Sequence, residues 1–273
     1  MILQTRAGRI VLRGFWGNIM AAKGKWSARA ELVARWFDVD ASSVRANESR
    51  PAVGPPPDVE LSGGKVVLVC GPSGAGKSTL LGQLRRRAGR RVAWTDLGRV
   101  RLPQALVIDA MADALGGGRG DDAIVTALEA LSRVGLGEVW TYLRTAEQLS
   151  EGQRWRLRLA LALARATAPR RHARTPSAVS GRTEGAPSRA GSTRFSKPPL
   201  TILAADEFAA PLDPVTAHVV ARALRKAVNA NSANLCAIVA TARPGDLARA
   251  LQPDLTVRCD FGTVQLFPER RPS

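Results

Sequence analysis

The sequence predicts an α/β fold, a mainly parallel central sheet flanked by helices, on three observations. Three unbroken apolar runs, "KVVLVC" (65–70), "LTILAADE" (200–207) and "ANLCAIVAT" (233–241), have the length and hydrophobicity of strands buried on both faces. Segments with helical spacing follow the first two, "STLLGQLRRRA" (78–88) and "DPVTAHVVARALRKAVN" (213–229). A glycine-rich loop, "GPSGAGKST" (71–79), joins the first strand to the first helix.

The other elements follow in chain order. Residues 1–58 read as a basic N-terminal extension and linker. Within them "ARAELVARWFDV" (28–39) predicts a short amphipathic helix with Leu32, Trp36 and Phe37 on its buried side. The acid-free start has the composition of a transit peptide, but Trp16, Trp26 and the glycines interrupt any clean amphipathic helix. "RPAVGPPPDVELSGG" (50–64) reads as loop or linker from its Pro and Gly. "RRVAWTD" (90–96) and "ALVIDAM" (105–111) read as further strands or strand–helix edges. "DDAIVTALEALSRVG" (121–135) has helical spacing at Ile124, Ala127, Leu128 and Leu131. Residues 168–199 are rich in Arg, Ser, Pro and Gly. They cannot bury enough apolar surface to offset their ordering entropy, which predicts disorder. "LTVRCDFGTVQLF" (255–267) predicts a hairpin with Gly262 near its turn, and 268–273 form a tail. The predicted domain therefore spans 59–267, interrupted by 168–199. No internal repeat is present.

Composition narrows the partners. Hydrophobic residues make up 45% of the 273, enough for a core, and no apolar run approaches the roughly 18 residues of a membrane span. Cys70, Cys236 and Cys259 are far apart with no CxxC pair, which predicts reduced buried thiols and a cytoplasmic location. His172 and His218 have no metal-ligand spacing. The net charge of +17 is concentrated: residues 1–30 and 168–199 each carry a net +6. Such segments suit phosphate contacts, so nucleic acid is one candidate partner.

"GPSGAGKST" matches the pattern GxxxxGK[ST] between strand and helix, the setting in which it forms a phosphate-binding P-loop. Gly71, Gly74 and Gly76 let the backbone curl, and the loop residues Pro72, Ser73, Ala75 and Thr79 line it. N–H groups then face phosphate oxygens, helped by the following helix N-terminus. Lys77 would reach the β- and γ-phosphates of ATP, and Ser78 would ligate Mg²⁺. A P-loop also needs an acid at the end of a neighbouring strand. "LTILAADE" supplies Asp206 to hold Mg²⁺ through water, and Glu207 to take the proton of the attacking water.

A third motif lies between these two. In "LSEGQRWRLRLALALARA" (149–166), Ser150, Gly152 and Gln153 stand against a long Leu- and Arg-rich helix. The order P-loop, "LSEGQ", "DEFAAPLD" (206–213) resembles that of ATP-binding cassette (ABC) ATPases over residues 59–267. In that resemblance "LSEGQ" is the signature motif, and Asp213 stands at the offset expected after Glu207. "LSEGQRWRLRLALA", "ADEFAAPLDPVTAHVVA" and "ATARPGDLARALQPD" look most like a soluble group, some members of which are fused to an acetyltransferase-like domain. No such domain is evident in this sequence.

The resemblance implies a head-to-tail homodimer with two ATP molecules at its interface. Ser150, Gly152 and Gln153 would contact the nucleotide held by the partner's P-loop, while Ser150 also caps its own helix. Glu151 replaces one of the signature's two usual glycines, beside the retained Gly152, and must point away from the phosphates. The usual switch histidine is missing, with Ala242 or Arg243 in its place. Gln104 is the candidate for the glutamine that senses Mg²⁺ and the attacking water. No aromatic residue clearly fills the adenine-stacking position, for which Trp36 and Phe37 are candidates. Phe208 stands where many transporter ATPases carry proline. Three functions fit this pattern. They are a soluble ATPase driven by nucleotide-dependent dimerisation, the ATPase subunit of a transporter with a separate membrane chain, and a nucleic-acid-associated ATPase.

Overall fold

The computed structural model describes residues 4–6, 9–12, 27–36, 59–88, 92–118, 120–167, 200–260 and 263–268. Its centre is a six-stranded sheet in the order β5-β6-β7-β4-β8-β9. The strands are β4 (Val66–Cys70), β5 (Ala93–Asp96), β6 (Thr201–Ala205), β7 (Leu235–Thr241), β8 (Leu255–Asp260) and β9 (Thr263–Pro268). All neighbours are parallel except β8 and β9, which pair as a hairpin. β4, β6 and β7 are buried along their whole length, as their unbroken apolar sequences require.

Alternation along these strands separates two apolar layers. Val66, Leu68, Leu203, Ala205, Ala237 and Val239 face one layer. It is completed by α3 (Val107–Ala114), α4 (Asp121–Arg133), α6 (Glu151–Thr167) and α7 (Pro214–Ala230). Val67, Val69, Ile202, Cys236, Ile238 and Ala240 face the other, where α2 (Lys77–Ala88) buries Leu80, Leu81, Leu84 and Ala88. Two short helices, α5 (Val139–Tyr142) and α8 (Gly245–Leu251), complete the set with α1 (Ala28–Trp36).

Three local expectations need correction. The stretch 105–111 is the start of helix α3, because Val107, Ala110 and Met111 repeat at helical spacing and bury one face. Only Leu106 makes a strand-like contact, an isolated bridge to Thr145. In 50–64, read as loop, Val59–Ser62 form β3; its alternating apolar residues outweigh the flanking glycines. It is the edge of a second, antiparallel sheet with β1 (Gln4–Arg6) and β2 (Arg9–Leu12), and Leu61 is buried in the α2 layer. Finally, α1 forms where expected, but Leu32 is 46% and Trp36 72% exposed, so this helix buries neither. Phe37, His172, Gly262, the predicted disorder of 168–199 and residues 269–273 of the tail lie outside the described residues.

One buried ion pair ties α7 to the start of β4. Asp254 Oδ2 accepts from Arg225 Nη1 of α7 at 2.8 Å and from the Val66 N–H at 2.8 Å, while its own N–H donates to the Val66 carbonyl. The Arg225 side chain is only 6% exposed. The β4 start, which leads to the P-loop, is therefore anchored to α7. Asp254→Ala strands a buried guanidinium and is expected to cost about 3–5 kcal/mol in urea unfolding. Asp254→Asn keeps an acceptor for Val66 and is expected to cost clearly less.

Candidate functional site

The site forms at the carboxyl edge of the sheet. Register places Thr241, the end of β7, opposite Cys70, the end of β4. Ala205, the end of β6, lies opposite Val239 of β7, which itself lies opposite Leu68. The residues that follow, Gly71, Asp206–Glu207 and Ala242–Arg243, thus emerge at nearly one level. β7 separates β4 from β6, so two strand spacings, roughly 10 Å, lie between the P-loop and the paired acids. The carboxyl edge of a parallel sheet is where such folds hold ligands.

The loop has the conformation its glycines permit. Gly71 has φ 145°, Gly74 77° and Gly76 93°, a region that side chains disfavour. A Cβ on Gly71 would overlap the Cys259 carbonyl oxygen of β8, so that position admits no side chain. Ala75 is buried and its N–H donates to the Pro72 carbonyl, while Pro72, Ser73 and Gly74 are exposed at the tip. Lys77 is 9% exposed, and its Nζ donates to the carbonyls of Gly71 (2.9 Å) and Pro72 (2.7 Å). The ammonium thus sits within the curl of the loop. Ser78 is exposed and Thr79 half-buried on the first turn of α2, whose leading N–H groups lack intrahelical acceptors.

Asp206 and Glu207 are both exposed where β6 ends. Asp206 Oδ1 accepts from the Glu207 N–H at 3.1 Å. Glu207 (φ 48°) and Ala209 (φ 59°) are both left-handed, unusual for residues with a side chain. Ser78 and Asp206 offer oxygen donors only, the set a hard cation such as Mg²⁺ takes, and both are accessible, so these residues fit that ion.

The signature residues build a reciprocal cap. Gln153 N–H donates to Ser150 Oγ (3.2 Å), and Ser150 N–H donates to Gln153 Oε1 (3.0 Å). Both ends of α6's first turn are thereby satisfied within the chain. Gln153 Nε2 also donates to Thr141 Oγ1 at 3.4 Å. Glu151 is exposed to solvent. Gly152 is packed against the turn after β6: a Cβ there would lie 3.2 Å from Leu212 Cδ2 and 3.5 Å from the Pro211 carbonyl oxygen. Asp213 ends that turn as N-cap of α7, accepting from the Val215 and Thr216 N–H groups at 3.0 Å. The Thr216 hydroxyl, then its amide, holds the Asp213 carboxyl below the usual range.

Gln104 is exposed and forms no hydrogen bond among the described residues, so the structure does not join it to Lys77, Asp206 or Glu207. Ala242 and Arg243 are exposed beyond β7, and the Arg243 N–H donates to Thr241 Oγ1 at 3.1 Å. Trp36, on α1, is largely exposed. Sequence reasoning missed Trp155, which meets Phe208 edge to face with ring centroids 5.3 Å apart. A tryptophan in the signature helix and an aromatic after the acids were the available signal.

The chain shares its fold with solved structures. A dimeric, post-hydrolysis form of the ATP-binding cassette MJ0796, bound to ADP and phosphate, superimposes with a TM-score of 0.51 at 20% identity, covering 78% of this chain and 89% of that one. A second dimeric structure of MJ0796, described as a bacterial ABC transporter cassette, gives 0.51 at 19% identity, with coverages of 78% and 89%. The fold is therefore that of an ABC ATPase cassette. No family model and no curated protein sequence matches the chain. Among the described residues no helix is long and apolar enough to cross a membrane.

Cys70 and Cys259 adjoin the loop, Cys236 stands at the amino end of β7, and all three are free and buried. Burial pushes the Cys236 thiol up to about 12 and that of Cys259 up to about 11; it also raises Cys70, against the pull of Arg258 and Lys77. The thiolate is the reactive form. The native chain at pH 8 is therefore expected to resist a disulfide-exchange reagent at all three positions, and to react fully once denaturant is added.

Proposed function

We propose that the chain is an ATP-hydrolysing cassette that acts as a head-to-tail dimer. The observation that carries this reading is the level placement of three elements at one sheet edge: the Lys77 loop, the Asp206–Glu207 pair and the β7 end between them. In this reading the loop N–H groups and Lys77 Nζ bind the β- and γ-phosphates of ATP, Lys77 exchanging the Gly71 and Pro72 carbonyls for phosphate oxygens. Ser78 and Asp206 would hold Mg²⁺, which when bound neutralises phosphate charge. Glu207 orients the attacking water and accepts its proton.

The signature supports a trans role. Ser150 and Gln153 are preorganised by their mutual cap, and Glu151 points to solvent, out of the cap. Gly152 leaves the helix N-terminus open to an anion. Its own chain does not demand glycine strictly. The atom that a Cβ would crowd is the end of a Leu212 side chain, which can give way. A second molecule's γ-phosphate is the demand that would.

Steady-state ATPase measurements on variants test this. Lys77→Ala is expected to lose ATP binding and turnover. Glu207→Gln is expected to keep ATP binding and lose turnover by about 10²-fold or more, as for loss of a general base. Gly152→Ala is expected to melt at or above the wild-type temperature, since alanine is the better helix residue by about 1 kcal/mol, yet to lose most turnover. A Glu207→Gln protein with full activity would reject the base assignment.

A further inference from the structure

Glu207 is the proposed base, yet no described residue grips its side chain. It is exposed and, among the described residues, makes no side-chain hydrogen bond or ion pair. Its aim is therefore set by its backbone. That backbone is left-handed at Glu207 (φ 48°) and again at Ala209 (φ 59°), conformations that persist only where the surroundings over-determine them.

Phe208, between these two residues, is what the surroundings hold. Its ring is 1% exposed and its N–H donates to the Ala240 carbonyl of β7 at 2.8 Å. Its ring meets Trp155 at an interplanar angle of 77°, the favoured edge-to-face arrangement. Trp155 is 8% exposed and stands on the first turns of α6, two residues beyond Gln153. A second contact runs parallel to it, Gly152 against Leu212 and Pro211 of the same turn. Close-packed interiors transmit displacement, so a tilt of the α6 N-terminus presses directly on the turn that aims Glu207.

We propose that the Trp155–Phe208 ring pair is a positioning device that sets the Glu207 carboxylate from the signature end of α6, making the two nucleotide sites of a dimer interdependent. The inference rests on the reading in the preceding subsection. In that reading the signature of one chain touches the nucleotide bound by its partner, while Glu207 acts on the nucleotide of its own P-loop. The ring pair lies inside one chain between these two duties. Phe208 and Trp155 touch no substrate and act only through Glu207.

The test compares wild type with Trp155→Leu, Phe208→Leu and the conservative Trp155→Phe. Trp155→Met and Phe208→Met, which fill more of the vacated space, serve if the leucine variants do not fold. Amide hydrogen exchange without nucleotide is read over residues 206–212 and over β4 and β7. Turnover is read against ATP concentration. The ringless variants are expected to melt cooperatively and to exchange faster over 206–212 with β4 and β7 unchanged. Their kcat is expected to fall about tenfold or more, the size of effect a small misplacement of a catalytic group produces. The KM for ATP is expected to stay within about threefold, and the Hill coefficient to fall toward one. Trp155→Phe is expected to retain wild-type values. Folded ringless variants with wild-type exchange, kcat and Hill coefficient, beside an active wild type, overturn the link alone. A wild type that does not hydrolyse ATP overturns the ATPase reading and the link with it.

Discussion

The structure depends on one constraint, the parallel register of β6, β7 and β4. Strands buried on both faces must pair in a register that keeps each alternate side chain in its own layer, and a one-residue slip would exchange the layers. Here Leu68, Val239 and Ala205 share one layer, and Val69, Ala240 and Ile202 the other. Once that register is set, the three strand exits lie within two residues of one level, and each loop that leaves them arrives at the same edge. The P-loop, the paired acids and the end of β7 converge because the core is packed, with no separate provision for bringing them together.

Local chemistry then specialises each exit. At Gly71 the chain passes so close to the Cys259 carbonyl that no side chain fits, and the positive φ angles of Gly74 and Gly76 complete the curl around Lys77. At Glu207 the same left-handed region is reached without glycine, and strain is held by Phe208 and its hydrogen bond to Ala240. At α6, the reciprocal cap of Ser150 and Gln153 satisfies their own N–H groups and fixes the first turn. The loop after β4, the turn after β6 and the start of α6 therefore use different physical means: absence of a side chain, burial of a ring, and a reciprocal cap.

The fold class and the outline of the candidate site were legible in the sequence because their signals are local. β4, β6 and β7 announce themselves as unbroken apolar runs, Lys77, Asp206 and Glu207 follow two of them within a few residues, and Ser150 stands directly before the Leu- and Arg-rich helix. What was not legible depends on distant contacts. The strand β3 is four residues long and gains its place from pairing with β2 and from Leu61 entering the α2 layer. The segment 105–111 has strand-like composition, and only packing of Val107 and Met111 against the helical layer decides for α3. Leu32 and Trp36 have helical spacing but no layer to enter. The Trp155–Phe208 contact joins residues from separate motifs, and nothing in either motif's spacing records it.

The central claim is that each active site is built from two chains, and mixing two inactive variants tests it most directly. Lys77→Ala removes the P-loop lysine and leaves the signature intact. Gly152→Asp places a carboxylate where the partner's phosphates would dock and leaves the P-loop intact. Each is expected to be folded and inactive alone. On mixing, one of the two sites in every heterodimer pairs the intact P-loop with the intact signature, and ATPase activity is expected to reappear, below the wild-type level because the other site holds no nucleotide, and to peak near equal amounts. A mixture of two folded variants that stays inactive at every ratio would contradict the account.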